Sequence, residues 1–368
     1  MKFGDNQKNI AVGGKTVYGG TVGVCMLDTQ FPRIPGDIAN ARTWSVPVHY
    51  RVVPGATPKA AVFDGGGEIL DGFIDAAKNL VKMGADGITT NCGFLSLFQK
   101  KMAEAVNVPV ATSSLMQVQM VQSLLPKNKK VGILTIHKPS LKKEHLKAAN
   151  VPLDTPIVGT ENGKEFSRVI LNDEKEMDID LAKQDHLDAV DELMKEHSNI
   201  GAIVMECTNM SPFAADIRKK FEVPVFNIYT FIEWFQSGLL PKNKKVGILT
   251  IHKPSLKEEH LRAAKVPLDT PIIGTENGKE FSRVILNDEK EMDIDLARQD
   301  HLDAVEQLMK ENSNIGAIVM ECTNMSPFAA DVKKKFEIPV FNIYTFIEWF
   351  QSGLLPARFS PDHDDPRK

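Results

Sequence analysis

Four cysteines stand in the sequence: Cys25, Cys92, Cys207 and Cys322. None is spaced C-x-x-C, so neither a zinc site nor a redox dithiol has local support. Three of them share a context. GADGITTNCGFLSLF places Cys92 after a short apolar run and before a helix, and NIGAIVMECTNMSPFAADI does the same for Cys207 and for its duplicate, Cys322. A thiol at a strand's carboxyl end and a helix N-terminus is expected to titrate below its free value of about 8.5, because unpaired N–H groups favour the thiolate. Two such sites facing across a cleft do two-base chemistry: one thiolate removes a Cα proton and the opposite thiol returns one to the other face. The flanking residues offer backbone N–H groups, hydroxyls and amides to a carboxylate or enediolate. They are Thr90, Asn91 and Gly93 in the first motif, and Thr208 and Asn209 in the second, duplicated as Thr323 and Asn324. A lone cysteine is more often a small buried hydrophobe, which is the expectation for Cys25.

Other polar signals are weaker. Arg33, within FPRIPGD, is a candidate clamp for a substrate carboxylate, since guanidinium binds carboxylate bidentately; a surface arginine in a Pro-rich loop explains it as well. Ser113 and Ser114 suit helix capping. His137 and His252 follow a GILTI run and read as structural. Gly65–Gly67 lacks the Lys-Ser/Thr of a phosphate-binding loop and reads as a turn.

The thiols need a frame. The strand–helix alternation implies an α/β chain with parallel sheets covered on both faces, in which ligands bind at the carboxyl ends of the strands. In the N-terminal part Thr21–Asp28 and Pro47–Val53 read as strands, Ile69–Met83 as a helix stopped by Gly84, Gly87–Asn91 as a strand, Phe94–Val106 as a helix and Val108–Thr112 as a strand. Further on come a strand at Lys130–Ile136, helices at Ser140–Ala149 and Asp178–Glu196, a strand at Gly201–Met205, a helix at Pro212–Phe221, a strand at Pro224–Ile228 and a helix at Thr230–Gln236.

A repeat dominates the organisation. LLPKNKKVGILTIHKPSLK begins at Leu124 and again at Leu239, and the match runs without a gap at an offset of 115 residues, with 11 differences. That period is too long for a solenoid unit. The expected division is an N-lobe over 1–123, a first C-lobe over 124–238, a second C-lobe over 239–353 and a tail over 354–368. One N-lobe can close a cleft with one C-lobe at a time. Chain connection favours Cys207 over Cys322 as the partner of Cys92, although only the second C-lobe is followed by LLPARF, a segment suited to packing back on the N-lobe. The unused C-lobe should expose a substrate face and some apolar surface, favouring homodimer contacts or aggregation.

Composition narrows the function classes. Of 368 residues, 42% are hydrophobic and 25% charged, with a net charge of −4, ordinary for a globular protein. No basic stripe with interleaved aromatics suggests nucleic acid, and no apolar run suggests a membrane span. The N-terminal MKFGDNQKNIAVGGK has no secretory signal, so a cytoplasmic setting with reduced thiols is expected. The partner expected is a small carboxylic or amino acid, with no cofactor and no metal.

T-N-C-G around Cys92 and E-C-T-N-M around Cys207 resemble the two cysteine motifs of the aspartate/glutamate/hydantoin racemase superfamily, and Asp28–Trp44 resembles the matching segment of its aspartate/glutamate racemase members. The resemblance implies three-layer lobes in a two-lobe architecture with the active site between them. It also implies a cofactor-independent racemase with Cys92 and Cys207 as the acid–base pair, Asp28 as an assisting acid, Thr29 beside it, and Thr208 and Asn209 at the substrate. Asn209 replaces the His of glutamate racemases, and Gly93 replaces their Asn. C-T-N also resembles maleate isomerases. The alternatives are therefore a cis–trans isomerase, a decarboxylase, or a small-acid-binding protein without turnover.

Overall fold

The computed structural model describes residues 17, 22–44, 47–236, 245–264 and 266–359. The start of the second repeat at Leu239, and the tail from residue 360, lie outside the described residues.

Twelve strands form three parallel sheets. The first contains β1 (Val22–Leu27), β2 (Val48–Val53), β3 (Gly87–Thr90) and β4 (Val110–Ala111), in the order β2-β1-β3-β4. The first C-lobe repeats this with β5 (Lys130–Thr135), β6 (Ile157–Gly159), β7 (Ile200–Met205) and β8 (Val225–Phe226), in the order β6-β5-β7-β8. The second repeats it again with β9 (Lys245–Thr250), β10 (Ile272–Gly274), β11 (Ile315–Met320) and β12 (Val340–Phe341), in the order β10-β9-β11-β12. In each sheet the chain leaves the first strand towards one edge and returns on its other side. The switch point where ligands bind in such sheets is thus the carboxyl end of the first and third strands. Cys92 follows β3 and Cys207 follows β7.

Local sequence explains the main elements. VGVCML buries all six residues of β1, as a strand covered on both faces requires. The helix Leu70–Met83 turns Phe73, Ala76, Ala77 and Leu80 inward and ends at Gly84, whose φ of +126° only glycine adopts readily. The helix Ile179–Glu196 starts at Asp178, whose carboxylate accepts from the N–H groups of Asp180 and Leu181.

Some elements differ from their expected form. Phe94–Val106 divides into a 3-10 turn, Gly93–Phe98, and a helix, Gln99–Ala105. A 3-10 turn over Lys138–Ser140 precedes the helix Lys143–Ala148. The edge strand β6 and the short helices Pro58–Val62 and Phe166–Leu171 were not anticipated. Segments of three to six residues carry too few positions to show a period.

The N-lobe and the first C-lobe share one hydrophobic cluster, which includes Cys25, Cys92, Cys207 and Phe226, whereas the second C-lobe has its own around Leu249, Phe281 and Met325. Hydrogen bonds join the first pair. The Ser114 hydroxyl donates to the Met205 carbonyl at 2.5 Å, the Thr208 hydroxyl to the Asn91 carbonyl at 2.5 Å, and Gln117 Nε2 to the Asn227 carbonyl at 3.0 Å. From the second C-lobe, the helix Ile343–Leu354 reaches back. Trp349 is buried in the first cluster, donates to Gln117 Oε1 at 3.1 Å and packs on Phe226 at 5.2 Å between centroids. Phe359, ending LLPARF, lies over Gly36 of the N-lobe and against Tyr229. Among the described residues, no helix is long and apolar enough to cross a membrane.

Candidate active site

Cys92 and Cys207 are brought to one small cavity between the N-lobe and the first C-lobe. Leu27, Phe31, Phe94 and Ile136 supply its apolar wall, and Asn91, Asn209 and Glu206 its polar groups. Each cysteine is the extended residue that opens a 3-10 turn. The Cys207 thiol donates to Asn209 Oδ1 at 3.4 Å. Asn209 Nδ2 in turn donates to Asp37 Oδ2 at 2.5 Å, tying the second cysteine motif to the N-lobe loop.

The thiols are not acidified as their helix-terminal position suggested. Burial, with a further push from Glu206, raises Cys92 to about 12, and the same two causes raise Cys207 well above its ordinary value. The N–H groups of Phe94 and Leu95 do pull Cys92 downward. A single 3-10 turn offers few such donors, and the cost of a thiolate away from water exceeds what they return. Cys25 is a fully buried core thiol, also pushed up to about 12 by burial.

The other expected residues divide. Asn91 lines the cavity; its Oδ1 accepts from the Leu27 N–H at 2.7 Å, while its buried Nδ2 has no partner. An orphan donor of this kind suits a substrate carboxylate. Gly93 is where the lobes touch: a β-carbon there would overlap both the side chain and the carbonyl of Glu206. Thr208 is spent on the lobe contact with Asn91. Asp28 is exposed and accepts from the Gly55 N–H at 3.1 Å, outside the cavity lining. Arg33 is not among the lining residues either. Its Nη2 donates to Thr29 Oγ1 at 2.8 Å, its Nη1 pairs with Asp37 at 3.2 Å, and its guanidinium lies 4.1 Å from the Phe31 ring centroid. In the second C-lobe Cys322 is half-buried, and Thr323 and Asn324 are exposed; the core of that lobe includes no described N-lobe residue.

Two functional candidates escaped the sequence reading. Asp37 is buried and bridges Arg33 to Asn209; nothing in a Pro- and Gly-rich loop marked it. Glu206 is wholly buried, its Oε2 accepts from the Thr135 hydroxyl at 2.8 Å, and burial lifts its carboxyl to about 7. It had a visible signal: a carboxylate closing the apolar strand IGAIVM.

The family model for Asp/Glu/hydantoin racemases matches residues 140–345, more than half of the chain. The chain belongs to this family. Its curated relatives include a dimethylsulfoniopropionate lyase of Durusdinium sp. clade D, 29% identical over 244 residues, covering 64% of this chain and 79% of the relative. Dimethylsulfoniopropionate lyase 7 of Emiliania huxleyi is 31% identical over 248 residues, covering 63% of this chain and 70% of the relative. Among solved structures, the aspartate racemase of Picrophilus torridus is 14% identical with a TM-score of 0.35, covering 59% of this chain and 92% of its own. The glutamate racemase of Campylobacter jejuni is 13% identical with a TM-score of 0.37, covering 58% and 84%.

Proposed function

We propose that this racemase-family protein is a cofactor-independent lyase of dimethylsulfoniopropionate. A thiolate of the Cys92–Cys207 pair removes the Cα proton, the carbanion's electron pair forms the Cα–Cβ double bond, and the Cβ–S bond breaks to give dimethyl sulfide and acrylate. One observation carries the reading: two buried thiols face one cavity whose orphan donor, Asn91 Nδ2, suits the carboxylate next to the acidic Cα–H. The choice of leaving group is supported by the lyases among its relatives.

Racemisation of an amino acid or related small acid is the second reading. A specific observation favours it: elimination needs one base, and this cavity has two thiols, as 1,1-proton transfer requires. Both reactions begin at the same proton.

Headspace measurement of dimethyl sulfide tests the first reading, and deuterium wash-in at Cα across a panel of amino acids tests the second. Sulfide release is expected, with Cys92→Ser or Cys207→Ser lowering it by about 10²–10⁴-fold and Cys322→Ser leaving it unchanged. Wash-in with inversion and no sulfide would replace the lyase by a racemase. Activity that survives Cys207→Ser but not Cys322→Ser would move the site to the second C-lobe.

A further inference from the structure

Glu206 has no part in a scheme of two thiols alone. Its side chain has no exposed surface, and its Oε1 has no hydrogen-bond partner. That carboxylate lies against Gly93, the residue after Cys92, so closely that a β-carbon there would overlap it, and it lines the same cavity as both thiols. An unpaired buried carboxylate oxygen is costly, and functional sites are where such costs are kept.

We propose that Glu206 is the proton acceptor that turns a thiol of the Cys92–Cys207 pair into the working thiolate. The inference rests on the reading that these thiols deprotonate Cα. Above about pH 7 the resting site holds its negative charge on Glu206, and both thiols keep their protons. The S–H bond breaks and an O–H bond forms on Oε1, directly or through a water molecule, for which the cavity's free space of about 20 Å³ has room. The charge moves but does not increase. Sending the thiol proton to bulk water instead would leave a second negative charge beside Glu206, which burial and that carboxylate both oppose. Once the thiolate has taken the Cα proton the thiol is whole again. Glu206 then releases its proton to solvent, which is the one proton an elimination sets free.

The groups facing Glu206 come from several elements. Its own lobe supplies Cys207, the Thr135 hydroxyl and the Ile136 N–H. The N-lobe supplies Cys92 and, beyond it, the Arg33–Asp37 pair. His145, behind the Phe94 ring, is held below its usual range by burial. The second C-lobe is an internal comparison: Glu321 accepts from Thr250 as Glu206 does from Thr135, yet it lies exposed in a lobe whose core includes no described N-lobe residue. Lobe closure, not the E-C-T-N sequence, makes the site.

Iodoacetamide labelling of the full chain, with Cys92 and Cys207 peptides quantified by mass spectrometry across pH, tests the assignment without any substrate. Wild-type labelling should rise as Glu206 loses its proton near 7 and then level, because the carboxylate takes the thiol proton as the sulfur attacks the reagent. Glu206→Gln removes that base, so the rise near 7 should disappear and labelling near neutrality should slow by at least about tenfold. Thr135→Val removes a hydrogen bond that holds Glu206 down, so it should move the rise to higher pH and keep the plateau; this variant decides the matter if Glu206→Gln does not fold. A wild-type rise retained in Glu206→Gln, or in Thr135→Val, would overturn the assignment. The expected labelling without dimethyl sulfide release would leave Glu206 in place and remove only the lyase reading.

Discussion

At the residue scale the site is governed by burial. Cys92, Cys207 and Glu206 each prefer their neutral form because each is cut off from water. Glu206 has a further consequence, for stability. Its carboxyl titrates near 7 in the folded chain, against an ordinary 4.5. Below 4.5 both folded and unfolded chains hold the proton and nothing is lost. As pH rises the unfolded chain sheds it first, so stability falls until about 7 and then levels. At about 1.4 kcal/mol per pH unit the loss is roughly 3 kcal/mol. Glu206→Gln removes the ionisation. Its stability relative to wild type should therefore climb across that window, as urea unfolding of both proteins would show; a difference that stays constant with pH would contradict the shifted carboxyl.

The elements decide what reaches the cavity. Parallel strands of equal order bring Cys92 and Cys207 to matching switch points, and the 3-10 turns after them aim the thiols inward. The helix Ile343–Leu354 has a different task. It belongs to the second C-lobe by sequence, yet Trp349 seats against Gln117 and Phe226, and Arg218 Nε donates to the Leu354 carbonyl at 2.8 Å. Trp349→Ala should therefore weaken the N-lobe–first C-lobe unit, not only its own lobe, by about 3–5 kcal/mol. Calorimetry would show this as a lower melting temperature of the transition that also abolishes small-acid binding. An unchanged melting temperature would detach this helix from the first C-lobe.

For the whole molecule, strand–helix alternation, the repeat and the strand–Cys–helix motifs are all local features, and the sequence by itself determined them. Period and spacing need only neighbours along the chain, so parallel sheets and the three candidate thiols were legible before any fold was known. Long-range packing decided the rest. The N-lobe shares its core with the first C-lobe, so Cys207 and not Cys322 meets Cys92. The two C-lobes are nearly identical, and no residue within them distinguishes a covered face from an open one. The same packing removed Asp28 from the cavity and placed Glu206 inside it. It also reversed the direction of the thiol shift, because a helix terminus is visible in sequence whereas the depth at which it is buried is not. Burial belongs to contacts between distant segments, and only the assembled lobes fix it.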